Sequence, residues 1–474
     1  MTTHSGLART LKPRHLAMIS IGGIIGAGLF VGSSAAIAAT GPAILLSYLL
    51  TGVLVLLVMR MLGEMAVAMP GTRAFTEFAR LALGPWAGFV AGWLYWYFWI
   101  IVVPIEAIAG ANILHAWIPL PSWQIGLALM AVMTAVNLLS TRAYGEFEFW
   151  FASIKVAAII VFIAIAAAYI LGWSSPQDAT FSALVAHGGF MPHGTLAVLA
   201  GAVTVFFSLT GAEVATIAAA ESNDPARAVA RMTTSVIVRI LTFYVASIFL
   251  IVTIVPWNDI VVGDSPFTQA LTAMRFGWAN IAMNAIILTA VLSCLNSAFY
   301  VCSRVMFLLA ETGDAPRWLV QVNARNVPVR SVMAGTLAGV LGVLAATLWP
   351  KTVFAFLVNA SGALMVFVYI MVAVSQVRLR RTRESRGEHA STLTMWLFPW
   401  ASYAAIAGML GILIAMAVSR AHAQEFYASL LALGVAVIAY RVVRARRAGT
   451  RAPRSSGAEP ASDVLRQRDH VGSK

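Results

Sequence analysis

Glu106, Lys155 and Glu213 are ionisable side chains set within long apolar runs of the chain. In a hydrocarbon layer an ionised group costs at least about 2.5 to 3.5 kcal/mol on insertion scales, so each is expected to face a cavity or a partner. A carboxylate in such a place can hold an amine or carry a proton. The competing reading is a neutral, hydrogen-bonded acid that only supports the fold. Glu106 follows Pro104 in Val103-Pro104-Ile105-Glu106-Ala107, and a proline there kinks a helix and frees carbonyls nearby. Lys155 lies about one and a half turns of 3.6 residues into its apolar run. A desolvated amine there is a candidate proton carrier; an amine reaching back to the headgroups is the alternative.

Two runs are built to open a helix. Gly26-Ala27-Gly28 permits torsions closed to other residues, which would turn the main-chain N–H groups of Ile25, Gly26, Ala27, Gly28 and Leu29 toward an anion, as at a helix N-terminus. Gly22 with Gly26, and Gly28 with Gly32, fit the small-xxx-small spacing of touching helices equally well. No strand precedes the run and no Gly-Lys-Ser/Thr follows, so it is neither a dinucleotide fingerprint nor a phosphate loop. The second run is Ser208-Leu209-Thr210-Gly211-Ala212-Glu213.

Other candidates carry less. The run from Trp93 to Trp99 can offer a cation–π face or simply pack and anchor. Asn296 and Ser297 either line a cavity or bond across helices. His187 and His193 lack metal-binding spacing, and no hydrolase motif occurs, so neither metal, cofactor nor catalytic residues are expected. Cys294 and Cys302 lie eight positions apart on one helix, roughly 12 Å along its axis, too far for a disulfide.

The elements that hold these residues follow from composition. The 474 residues are 60% apolar and only 11% charged, with mean hydropathy +0.83, against about 25% charged in soluble domains. That leaves an all-α polytopic membrane protein. Runs long enough to cross a layer of about 30 Å occur twelve times, at 15–38, 42–69, 86–117, 122–140, 150–173, 197–220, 235–256, 278–311, 331–349, 352–376, 396–418 and 425–443. The net charge of +13 is no nucleic-acid face, since about 25 of the 32 Lys and Arg fall in the tails and alternate loops. This is the positive-inside pattern, and it puts both termini in the cytoplasm. Residues 1–14 are then an N-terminal tail and 444–474 a disordered basic tail. The glycine-rich first span and the sixth span head two five-helix blocks, about 15–173 and 197–376, and paired interrupted helices point to a transporter of inverted repeats. The spans within 396–443 stand outside that 15–376 core.

Several stretches together resemble the amino acid/polyamine/organocation transporter superfamily, and within it the bacterial permeases of the 4-aminobutyrate (GABA) type. They include the segment from Gly23 to Gly32, Gly63-Glu64-Met65-Ala66, Gly84-Pro85-Trp86, Tyr144-Gly145-Glu146-Phe147-Glu148-Phe149-Trp150, Gly211-Ala212-Glu213, Ser293-Cys294-Leu295-Asn296-Ser297 and Val374-Ser375-Gln376. The resemblance implies a LeuT-like 5+5 inverted repeat with helices 1 and 6 broken, plus two peripheral helices, and a substrate held at mid-membrane. It implies proton-driven import in the cell inner membrane, with Lys155 standing where distant relatives bind sodium and Glu106 and Glu213 bordering the substrate.

On that footing the N–H groups from Ile25 to Leu29 are expected to hold the carboxylate of a zwitterionic amino acid, GABA or a similar ω-amino acid. Carbonyls around Ser208, Leu209 and Gly211, with Glu106 or Glu213, would hold its ammonium, while Lys155, Glu106 and Glu213 would couple protons. Partners are thus the amino acid, protons and lipid, and no oligomeric state is legible. Arg73, in Pro70-Gly71-Thr72-Arg73, departs from the family pattern at the inner gate. An aromatic amino acid permease or an exchanger on the same scaffold is the nearest rival, and an amino-acid-binding membrane sensor is the rival of another class.

Overall fold

The computed structural model describes residues 23–69, 72, 74–139, 141–172, 181–214, 225–323, 327–349, 353–388 and 392–450. Side chains of 139–145, 147, 225–237, 239–240 and 446–450 lie outside the description, as do Arg73, both tails beyond these limits and residues 215–224. All regular structure among the described residues is helical.

After a π-turn at Gly28–Gly32 come α1 (Ser33–Thr40), α2 (Ile44–Ala68), α3 (Phe75–Leu83), α4 (Pro85–His115), α5 (Ser122–Leu139), α6 (Thr141–Ile170) and α7 (Gly194–Leu209). Then follow α8 (Pro225–Ile254), α9 (Pro266–Ala273), α10 (Gly277–Glu311), α11 (Val329–Leu348), α12 (Val353–Ser385), α13 (Trp400–Val418) and α14 (Ala423–Thr450). Eight stretches are long and apolar enough to cross a membrane, among them Gly28–Ala68 taken as one, and three shorter apolar helices accompany them. The exterior agrees with a lipid solvent, for Val161, Leu341, Ile414 and Leu431 on four different helices all point outward.

Hydropathy placed the apolar cores but not the ends. α6 begins at Thr141 rather than 150, α8 at Pro225 rather than 235, and α12 runs to Ser385 rather than 376. In each case the helix continues through charged residues that hydropathy reads as loop. α14 likewise continues to Thr450, past the expected 443. The amphipathic α3 and α9 lie where loops were expected, because eight or nine residues with mixed polarity carry no spanning signal.

The centre of the fold is α4, packed against α10, α12 and α5, with α2 on α8 and α7 beside it. Close approach is set by small residues: a β-carbon at Gly362 of α12 would lie 2.2 Å from the Val203 carbonyl oxygen of α7. The outer helix α13 is tied in by polar contacts around Glu64, which accepts from Gln376 Nε2 at 2.8 Å and the Met395 amide at 2.9 Å. Ser402 in turn donates to Gln376 Oε1 at 2.9 Å.

Candidate functional site

The helix leading into the π-turn is interrupted. Gly23 and Ile24 are helical, Ile25 and Gly26 bend, and the chain resumes at Ala27 before the π-turn Gly28–Gly32. An interruption leaves main-chain groups without helical partners, and in a buried place these need others. They have them. The Ala27 N–H donates to both oxygens of Glu106, each at 3.1 Å. Tyr244 donates to the Ile24 carbonyl at 3.1 Å and Cys294 Sγ to the Gly23 carbonyl at 3.8 Å. Glycine is required at 26 because a β-carbon would fall 2.6 Å from Glu106 Oε1 and 2.7 Å from Cys294 Sγ.

α7 ends at Leu209, Thr210 turns extended with ψ 146°, and Gly211 takes φ +125°, a conformation closed to other residues. The freed Gly211 N–H donates to Glu213 Oε2 at 3.0 Å, and the same carboxylate accepts from Tyr369 at 2.8 Å and Tyr95 at 3.1 Å. The two interruptions touch: a β-carbon at Gly211 would stand 2.5 Å from the Gly23 carbonyl oxygen, and one at Gly28 would stand 2.8 Å from Ser208 Cα.

Between them is a cavity of about 10 Å³, room for the centre of roughly one water. Of the expected residues, Gly26, Gly28 and Glu106 line it. Ile25, Ala27, Leu29, Leu209, Ser208, Gly211 and Glu213 are buried beside it, but their side chains or α-carbons do not form its wall. Glu213 is instead held by Gly211, Tyr369 and Tyr95 behind the second interruption. Gly23, Ile24, Phe98, Trp99, Val102, Phe207, Thr210 and Cys294 complete the wall; Phe98 and Trp99 belong to the Trp93–Trp99 run and Thr210 to the Ser208–Glu213 run, whereas Val102 and Phe207 lie in no run singled out for binding. The missed signal is on α4, where Tyr95, Trp99, Val102 and Glu106 recur at intervals of four, three and four and so share one helix face. One end of that face reaches Glu213, the other Ala27.

A second buried polar centre adjoins the first. Lys155 is fully buried, so it does not reach the headgroups. Glu148, Cys294 and Glu106 all lie within its electrostatic reach. Glu148, also fully buried, accepts from Ser293 at 2.5 Å and from Ser297. Asn296 bonds across helices, accepting from Asn137 at 2.8 Å. One turn of α10 thus faces both centres: Cys294 toward Glu106, Ser293 and Ser297 toward Glu148.

Two larger openings flank the cavity. One of about 500 Å³ is lined by Phe75, Glu77, Arg80, Tyr95 and Thr312, and there Arg80 pairs with Asp314 and, at 3.1 Å, with Glu77. The other, about 830 Å³, is lined by Val31, Ser34, Asn112, Asp264, Gln269 and Asn280. Tyr95 therefore joins the first opening to Glu213, while the π-turn carries Val31 into the second. A narrow chamber between two larger openings suits passage of a small solute, and no group of three or more potential metal ligands occurs among the described residues.

The family profile described as "Amino acid permease" matches residues 15–448. The chain belongs to that family. It is a multi-pass membrane transporter of amino acids and not an enzyme. Among its relatives, the gamma-aminobutyric acid permease of Bacillus subtilis is 43% identical over 98% of this chain and 99% of that protein. A probable GABA permease of Pseudomonas aeruginosa is 46% identical over 94% of each. The aromatic amino acid transport protein AroP of Corynebacterium glutamicum is 38% identical over 92% of this chain and 95% of its own. Among solved structures, a point mutant of the manganese transporter of Eremococcus coleocola shares the fold at TM-score 0.58 and 12% identity, over 92% of this permease and 94% of that chain.

Proposed function

We propose that the protein imports GABA or a similar ω-amino acid by proton symport across the cell inner membrane, with both termini in the cytoplasm. The proposed frame has twelve spanning helices in a LeuT-like 5+5 inverted repeat, the first and sixth broken, with two peripheral helices. Dividing Gly28–Ala68 at the Gly41–Ala43 turn and adding the shorter apolar helices to the eight long stretches supports that number.

The observation that carries the reading is the meeting of two interrupted helices around Glu106 and Gly211. The Ala27 N–H is a preformed carboxylate site, since it already holds one carboxylate. A substrate carboxylate entering there displaces Glu106, which is then free to take the substrate ammonium or a proton. Carbonyls from Ser208 to Gly211 face the other end, and Phe98, Trp99 and Phe207 enclose the methylene chain. Tyr95, Tyr369 and the Gly211 amide keep Glu213 in place, so its share in coupling goes through the second interruption. Lys155, between Glu106 and Glu148, carries the coupling proton. The GABA assignment draws support from the relatives named for GABA, which are more similar than the one named for aromatic substrates.

The test is uptake of labelled GABA into proteoliposomes with an inward proton gradient, with and without uncoupler, in competition with the common amino acids. Concentrative uptake lost with uncoupler and competed best by ω-amino acids is expected. Uptake that needs internal substrate and ignores the uncoupler would make the protein an exchanger, competition by phenylalanine equal to that by GABA an aromatic permease, and binding without uptake a sensor.

A further inference from the structure

Glu148 lies two turns before Lys155 on α6, and seven residues at 3.6 per turn bring both to one face. Ala152, between them on that face, is fully buried and too small to separate the two side chains. The stripe continues through Ile159, Phe162 and Ala166, all buried, so Glu148 and Lys155 occupy core positions of one packed helix. Ser293 and Ser297, one turn apart on α10, grip the carboxylate, and Oε1 takes Ser293 at 2.5 Å. Among the described residues Oε2 is buried with no hydrogen-bond partner. Buried acceptors are nearly always satisfied, and a carboxylate oxygen left over within the electrostatic reach of an amine is a place for a proton. The charged or titratable groups facing Glu148 are Lys155 on its own helix, then Cys294 on α10 and Glu106 on α4 through Lys155. Arg304 on α10 is turned to Ser303 and the Tyr300 ring.

We propose that Glu148 is a coupling residue, the counter-charge of Lys155 and the acceptor of its proton on the cytoplasmic side. The inference rests on the proton-symport reading above. In the step, an N–H bond of the Lys155 ammonium breaks and an O–H bond forms at Glu148 Oε2, converting two opposite charges into two neutral groups. The proton then leaves Oε2 for water and Lys155 is free to be recharged from Glu106. Direction comes from placement: Glu148 is about 10 Å nearer the N-terminal end of α6 than Lys155 at 1.5 Å per residue, the end that the charge pattern puts on the cytoplasmic side. Ser293 and Ser297 hold the carboxylate in reach in both states, because a hydroxyl donates to a carboxylate and accepts from a carboxylic acid.

Glu148→Gln, Glu148→Asp and wild type, reconstituted in proteoliposomes, separate coupling from binding. Two readouts are needed: accumulation of labelled GABA under an imposed proton gradient, and counterflow exchange at equal pH. For Glu148→Gln, accumulation is expected to fall at least about tenfold while counterflow stays within severalfold of wild type, and Glu148→Asp should restore part of the accumulation. Undiminished accumulation in Glu148→Gln overturns the assignment. Parallel loss of accumulation and counterflow, with no rescue by Glu148→Asp, also overturns it, since a merely structural carboxylate would behave so. Failure of the symport reading itself is visible separately, in wild type that does not accumulate.

Discussion

Gly211→Ala tests the contact between the two interrupted helices on which the site depends. At φ +125° an alanine is held in a region open essentially to glycine, at a cost of order 1–3 kcal/mol. Its β-carbon would stand 2.5 Å from the Gly23 carbonyl oxygen, 2.7 Å from the Gly23 carbonyl carbon and 3.0 Å from the Ile24 nitrogen, against an ordinary contact of about 3.5–4 Å. All three are backbone atoms, so no side chain can swing away, and overpacking of this kind adds about 1–3 kcal/mol. The closed arrangement should therefore lose about 2–6 kcal/mol. At about 1.4 kcal/mol per tenfold, the lower bound corresponds to roughly 30-fold in its population. Counterflow exchange should fall by at least that factor, with a lowered thermal midpoint. Gly411→Ala is the control, because nothing lies within 4 Å of a β-carbon there, and helical alanine is the more stable by about 0.5–1 kcal/mol. If Gly211→Ala exchanges within about twofold of wild type at an unchanged midpoint, the two interruptions do not meet during transport and the reasoning fails.

Lys155→Met should abolish accumulation under a proton gradient, and vesicles in which it accumulates as well as wild type would remove the lysine from the coupling path. Tyr369→Phe withdraws a donor at 2.8 Å from Glu213, and a hydrogen bond to a charged group contributes about 1.5–3 kcal/mol. Its counterflow rate should drop about tenfold or more, and an unchanged rate would show that Glu213 is not what holds the second interruption. Cys294, in the cavity wall, should react with a small maleimide more slowly when substrate is bound; equal labelling rates with and without saturating GABA contradict a site between Gly26 and Cys294.

How much of this was legible in the sequence follows the chemistry of each signal. Glu106, Lys155 and Gly26-Ala27-Gly28 were legible because a charge or a glycine cluster is anomalous in an apolar helix. Phe207, Val102 and Cys294 were not, because an apolar residue lining a cavity and one facing lipid look alike when the solvent itself is apolar. Glu148 escaped for another reason. It stands at the charged end of α6, where a carboxylate reads as solvated, and only the seven-residue interval to Lys155 hints at a shared face. The pairing of Glu64 with Gln376 needed the fold, since 312 positions separate them. Helix ends were misjudged wherever a helix outran its apolar part, as at Thr141 and Ser385.

On the proposed reading, coupling follows from one main-chain hydrogen. The Ala27 N–H meets both Glu106 oxygens at 3.1 Å, so a substrate carboxylate at the same nitrogen would bring a second negative charge within about 4 Å of the first. At an effective dielectric of about 20, that repulsion is about 4 kcal/mol, large against the affinity of a small zwitterion. Two events relieve it: Glu106 takes a proton, or it swings to Lys155 as Lys155 leaves Glu148. Either way the substrate binds best to the form that has gained or moved a proton, and by linkage the proton binds best to the form holding substrate. Neither ligand then needs a separate signal to reach the other, because both act on the same carboxylate. A cavity of about 10 Å³ adds the second requirement, since it cannot admit even a small amino acid until the interrupted helices part. Substrate entry and release of Glu106 from Ala27 are therefore one movement.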